Sequence, residues 1–219
     1  MRFRIRATAP KASESLRLGP CPIRVSSRPL RVLDFDIENR PLSYLGSDFT
    51  TAEVTAMAWA WTDDPANVTV YLLGETELPE ILQRFVMAYD QADMVTGHYI
   101  KGHDLPMVNG ALMEFGMAPL NEKMVQDTKC DLLSAKGLSK SQESLGAMLN
   151  LESPKVTMNQ AKWRSANRLT SEGLAQVRER VTGDVRQHIE LRAKLLALGY
   201  LKPARLWKSG TTQLETYTP

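Results

Sequence analysis

The sequence predicts an α/β domain layered around a mixed sheet, and two observations carry that prediction. Three β-rich runs come first, at about 31–38, 53–61 and 68–73, joined by short polar connections in the manner of an antiparallel meander. From residue 78 onward the period changes, and helical stripes alternate with short buried strands, as in a parallel sheet covered by helices.

The first strand lies in Arg31-Val-Leu-Asp-Phe-Asp-Ile-Glu-Asn39. Strand side chains alternate, so Asp34, Asp36 and Glu38 share one face and Leu33, Phe35 and Ile37 the other. The second strand, Glu53–Trp61, keeps the alternation in part and ends at the turn cluster Asp63-Asp64-Pro65-Ala66-Asn67. Val68–Leu73 is the third. Leu78, Leu82, Phe85, Val86 and Tyr89 then fall on one helix face, with Pro79 suited to its first turn. Asp93–Gly97 is a short buried strand, followed by a helix over about 105–115 that Gly116 stops. Residues 124–127 make another strand. Ser139 and Gln142 form a capping-box pattern ahead of a buried stripe of Leu145, Met148 and Leu149. The last helix runs over about 171–198, with a bend expected at Gly183 and an end at Gly199 and Pro203.

At 219 residues with 43% hydrophobic content, the chain can bury a sizeable core. No apolar run reaches the roughly 20 residues of a membrane-spanning helix. Cys21 and Cys130 form neither a metal-ligand spacing nor a disulfide framework, so a reduced cytoplasmic setting is the default. The net charge of +2 is unevenly spread: residues 1–28 hold seven basic residues and one acid, 29–150 eight and eighteen, 151–219 twelve and six. An acidic centre between basic flanks suits a cation site that receives a polyanion, or is plain solvated surface. Residues 1–28 form a basic arm, a leader or a mitochondrial-type transit peptide, with a short edge strand at Arg2–Arg6 as a further option; residues 29–200 form the domain and 201–219 a tail.

Three acids on one face of a core strand repel one another, and such a cluster persists when a cation sits on it. Asp104 follows the polar loop Gly97-His-Tyr-Ile-Lys-Gly-His-Asp-Leu-Pro106, where a helix N-cap is the ordinary role of an aspartate. Asp184 shares a helix side with Val177, Val181 and Val185, a costly place for an acid that is neither paired nor metal-bound.

Asp36-Ile-Glu38 on a first strand, Asp104 before a middle helix and Asp184 on a late helix resemble the DEDD, or DnaQ-like, family of 3′–5′ exonucleases. Residues 97–106 resemble the second motif of family B polymerase proofreading domains, Val125–Leu133 the strand that precedes the third motif, and Gly183-Asp-Val185 the third motif itself. The resemblance, which covers about 31–198, implies a ribonuclease H-like fold. It also implies two Mg²⁺ or Mn²⁺ ions held by Asp36, Glu38, Asp104 and Asp184, and release of nucleoside monophosphates from a 3′ end. Single-stranded DNA is the favoured substrate and RNA the alternative. A bacterial or phage replication or repair protein is the expected setting, and the length leaves no room for a polymerase domain. The family's water-orienting Tyr or His is replaced by Arg180 or Glu179, its second-motif Asn by Tyr99, and its Phe before the aspartate by His103. His188, one turn after Asp184, is the candidate replacement, with a core histidine as the alternative. The ions alone, or a binding module with little catalysis, would also account for the departures. Asn39 and Leu42 after the first motif, Tyr99, and Lys162 in an irregular basic stretch are the candidate substrate contacts.

Overall fold

The computed structural model describes residues 28–42, 49–153 and 156–209. The arm, its expected edge strand and the last ten residues lie outside the described residues. Six strands form one sheet in the order β3-β2-β1-β4-β5-β6. β1 (Val32–Pro41), β2 (Ala52–Trp61) and β3 (Thr69–Leu72) are the antiparallel meander. β4 (Met94–Gly97) and β5 (Lys123–Asp127) add in parallel beside β1. β6 (Arg205–Trp207) closes the far edge antiparallel to β5. The fold is ribonuclease H-like, as expected, except that the domain runs past 200: residues 201–207 return to the sheet rather than trail away as a tail.

Alternation along the central strands explains the two layers. Leu33, Phe35, Ile37, Met57 and Trp59 face α1 (Leu78–Gln91) and α2 (Asp104–Glu114), where Leu82, Phe85, Leu105 and Val108 complete the larger core. The opposite side of β2 presents Ala56, Ala58 and Ala60 to Val177, Val181, Val185 and Ile189 of α5 (Ser171–Ala197). Small residues below and β-branched residues above let α5 lie close to the sheet. Burying each of those valines contributes about 1.5–3 kcal/mol of transfer free energy. The side chain of Thr170 caps α5 by accepting from Gly173 N–H. A Cβ on Gly173 would meet the Ser165 carbonyl carbon at 2.3 Å, so glycine permits the tight junction with the preceding helix.

Local expectations needed correction at three places. α3 (Gln142–Met148) is capped by Ser141, whose side chain accepts from Ser144 N–H, so Ser139 is not the cap; Met148 is exposed. The basic stretch before α5 is not irregular but forms α4 (Gln160–Asn167), capped by Asn159. β1 continues through Asn39 to Pro41, three residues further than the run of about 31–38 read from the sequence. Among the described residues no helix is long and apolar enough to cross a membrane.

Candidate metal centre

Asp36 and Glu38 stand two apart on the α5 face of β1, and Asp184 projects from α5 toward them. One carboxylate oxygen from each of the three lies within 4.8 Å of the others. A register shift between Glu38 and Asn39 marks a bulge at this point, a common device for re-aiming side chains beside a site. Asp104 is the first residue of α2 rather than its cap, a position held by His103. Its Oδ1 instead accepts from the Ile37 backbone N–H at 3.2 Å, which seats the carboxyl against the strand between the first two acids. Asp104 stays outside the three-acid group but close enough to be felt by it. Burial first, then the charges of Asp104, Glu38 and Asp184, push the Asp36 carboxyl well above the usual range, with Arg180 opposing. Carboxylate oxygens that repel one another in a half-buried setting could hold a metal ion.

Arg180 enters the cluster from α5, one turn before Asp184. Its Nε lies 2.7 Å from Asp184 Oδ2 and 3.5 Å from Glu38 Oε1, while Nη1 donates to the Val156 carbonyl at 2.6 Å. The other arginines of α5 are engaged elsewhere: Arg178 with Glu75, Arg186 with the Ala66 carbonyl and Arg192 with Gln126. Gln142, read from sequence as half of a capping box, is buried and donates to the Asp184 carbonyl at 2.9 Å. It ties α3 to the turn of α5 that carries the acid.

His188 does not reach the cluster. Its Nδ1 meets Asp34 Oδ2 at 2.5 Å and its Nε2 meets Thr128 Oγ1 at 2.8 Å, and the residue is 2% exposed. With both ring nitrogens engaged, it orients no water in this conformation, so the core-histidine alternative describes its position. Thr128 Oγ1 also meets His98 Nδ1 at 2.9 Å, which completes a chain Asp34–His188–Thr128–His98 that ends at the half-buried His98. Burial, then the neighbouring His188, pushes His98 down to about 4, so it is neutral at neutral pH. Asp34 therefore shares its face with Asp36 and Glu38 but not their surroundings.

The loop that delivers Asp104 is built on Asp127, a residue that sequence reading left without a role. Its carboxylate accepts from the backbone N–H groups of Tyr99, Lys101, Lys129 and Cys130. Burial opposes ionisation, but these four donors outweigh it and hold the carboxyl below the usual range. Asp131, paired with Lys101 Nζ at 2.6 Å, accepts from Asp127 N–H in turn. At the loop's start a Cβ on Gly97 would lie 2.8 Å from the Phe35 carbonyl, so glycine lets β4 run close against β1. Tyr99 adopts φ +70°, a left-handed conformation that a bulky residue rarely takes and that the expected Asn takes more easily.

The remaining candidates are spread around the site. Tyr99 is 41% exposed, its ring under Lys129 Nζ at 3.8 Å. His103 lies beside Asp104, Nδ1 to Oδ2 at 3.4 Å, and hydrogen bonding to Asp104 raises its pKa. Asn39 follows the bulge and is half-buried, and Leu42 N–H donates to Thr51. Lys162 sits in the first turn of α4 with Nζ 3.5 Å from the Thr157 carbonyl, and its neighbour Trp163 packs into the α5 core. Of these five, His103 is the one placed against an acid, Asp104.

No protein-family model matches the sequence, and no curated protein matches it. A solved structure similar in fold is the family B DNA polymerase from the hyperthermophilic archaeon Pyrobaculum calidifontis, at 18% identity and a TM-score of 0.60. The match covers 77% of this chain and 25% of the polymerase, so this chain corresponds to about a quarter of that protein's length.

Proposed function

We propose that the chain is a metal-dependent 3′–5′ exonuclease of the DEDD type acting on single-stranded DNA. The observation that carries this reading is the convergence of Asp36, Glu38 and Asp184 within 4.8 Å, with Asp104 held against the same strand by Ile37 N–H. Residues separated by nearly 150 positions meet on a ribonuclease H-like sheet whose structural neighbour is a DNA polymerase. The fold by itself does not fix the chemistry, and the weight rests on the acids. In this reading the four carboxylates hold two divalent ions, which supply a lowered water pKa and charge neutralisation at the scissile phosphate. Ile37 N–H and the Asp127-braced loop position Asp104, and Gln142 positions the turn that bears Asp184. Tyr99, exposed at the rim, offers a ring for stacking a terminal base.

Arg180 supports a second reading, a nucleic-acid-binding module with little turnover. It stands where the family places a water-orienting tyrosine and partly neutralises the acids. A 5′-labelled single-stranded DNA incubated with Mg²⁺ or Mn²⁺ separates the two. A ladder that shortens from the 3′ end and disappears with EDTA is expected for the nuclease. An intact oligonucleotide that is retarded on a native gel supports the module. The same assay with an RNA of identical sequence ranks the two substrates.

A further inference from the structure

We propose that Arg180 is a resident cation of the carboxylate site, so that one divalent ion binds readily on the Asp36–Asp104 side and a second binds only by displacing the guanidinium from Asp184. This rests on reading the cluster as a metal site and concerns how that site fills. Arg180 is on the same helix as Asp184, one turn away, and its Nε lies 2.7 Å from Oδ2. It also stands 3.5 Å from Glu38 on β1, so the acids its Nε meets are Asp184 and Glu38. Its position is fixed from behind, where Nη1 donates to the Val156 carbonyl at 2.6 Å. The side chain is only 16% exposed, which leaves little water to screen the pair.

A guanidinium does not vacate such a seat by losing a proton, because it remains charged at every accessible pH. An incoming ion must therefore move it bodily. The cleft beside it is lined by Glu143, Val156, Thr157, Met158 and Trp163, and Glu143 offers the displaced side chain an alternative partner. Asymmetric occupancy follows: Asp184 and Glu38 are clamped by the guanidinium, whereas among the described residues Asp104 meets only the Ile37 N–H and the neutralisable ring of His103 at 3.4 Å.

The test is a Mn²⁺ titration of the full chain, followed by the loss of the free-ion EPR signal. The wild type is expected to bind one Mn²⁺ tightly and a second at least tenfold more weakly. Arg180→Gln, which keeps much of the shape and loses the charge, is expected to bring the two affinities within about threefold. Arg180→Lys, which keeps the charge, is expected to retain the unequal pattern, and a circular-dichroism melt of each variant establishes that it is folded. Two equal sites in the wild type, or an unchanged second affinity in folded Arg180→Gln, would overturn the role of Arg180 alone. No Mn²⁺ bound by the wild type or either variant would instead overturn the metal-site reading beneath it.

Discussion

Two acid-bearing positions on one face of β1, two residues apart, have opposite fates. Asp34 meets His188 and Asp36 meets Asp184, and the two α5 residues are themselves one turn apart. The upper pair is closed from within: His188 answers Asp34, Thr128 answers His188, and His98 extends the chain. The lower group gathers acids around a single arginine and remains short of positive charge. The same strand period and the same helix period thus produce a hydrogen-bonded acid–histidine pair in one place, with Asp34 Oδ1 and His98 Nε2 left buried without a partner among the described residues, and a cluster of mutually repelling acids one step along. A buried carboxylate marks a functional centre only when the surrounding residues fail to neutralise it.

Substitutions at the two positions should therefore diverge most sharply. Asp36→Asn is expected to lower the cleavage rate about a thousandfold or more, measured by single-turnover digestion. In the metal-free protein the same change is expected to raise stability by about 1 kcal/mol, or about 2–4 °C in Tm, because like-charge repulsion is relieved. Asp34→Ala is expected to do the reverse, costing about 2–3 kcal/mol in urea unfolding, since it leaves a His188 nitrogen buried without its partner. An equal fall in stability at both positions would erase the contrast.

Stability against pH sharpens it further. The folded carboxyl of Asp36 is raised, so the unfolded chain ionises first as pH climbs past the ordinary value of 3.8. In metal-free protein this group removes stability from that point up through its folded value, and Asp36→Asn should flatten the decline. Asp127 has the opposite sign. Its folded value is lowered, so its contribution is present above 3.8 and lost as pH falls below it. Asp127→Asn should soften acid unfolding and leave the neutral-to-alkaline slope alone.

His188→Gln supplies a smaller effect on the mechanism. Melting should fall by several degrees, while the pH profile of cleavage per folded molecule keeps its shape, because the ring does not face the reacting centre. A lost limb of that profile would return His188 to the chemistry. Least affected should be Glu75→Ala, which breaks an exposed pair with Arg178 and is expected to change stability by less than about 0.5 kcal/mol.

The central layers were legible because they obey simple periods. Alternation placed Asp34, Asp36 and Glu38 on one face, and the valine stripe placed Asp184 on the buried side of its helix. Spacing gives a face but not a partner, so nothing in the sequence separated Asp34 from its neighbours or sent His188 to it rather than to the acids. Asp104 was ambiguous for the same reason, since an aspartate before a helix caps it far more often than it reaches another strand. Asp127 was hidden because its partners are backbone N–H groups, which no sequence pattern names. α4 and β6 escaped because one is a short polar helix and the other three residues at an edge, and both depend on tertiary pairing more than on local preference.

The methyl groups of Ala56, Ala58 and Ala60 determine how near the long helix approaches the sheet. They act as shims beneath a jaw. Residues with no reactive atoms therefore set the width of the opening between the jaw's two acidic lips, and a homologue with valine in their place would be gauged for a different load.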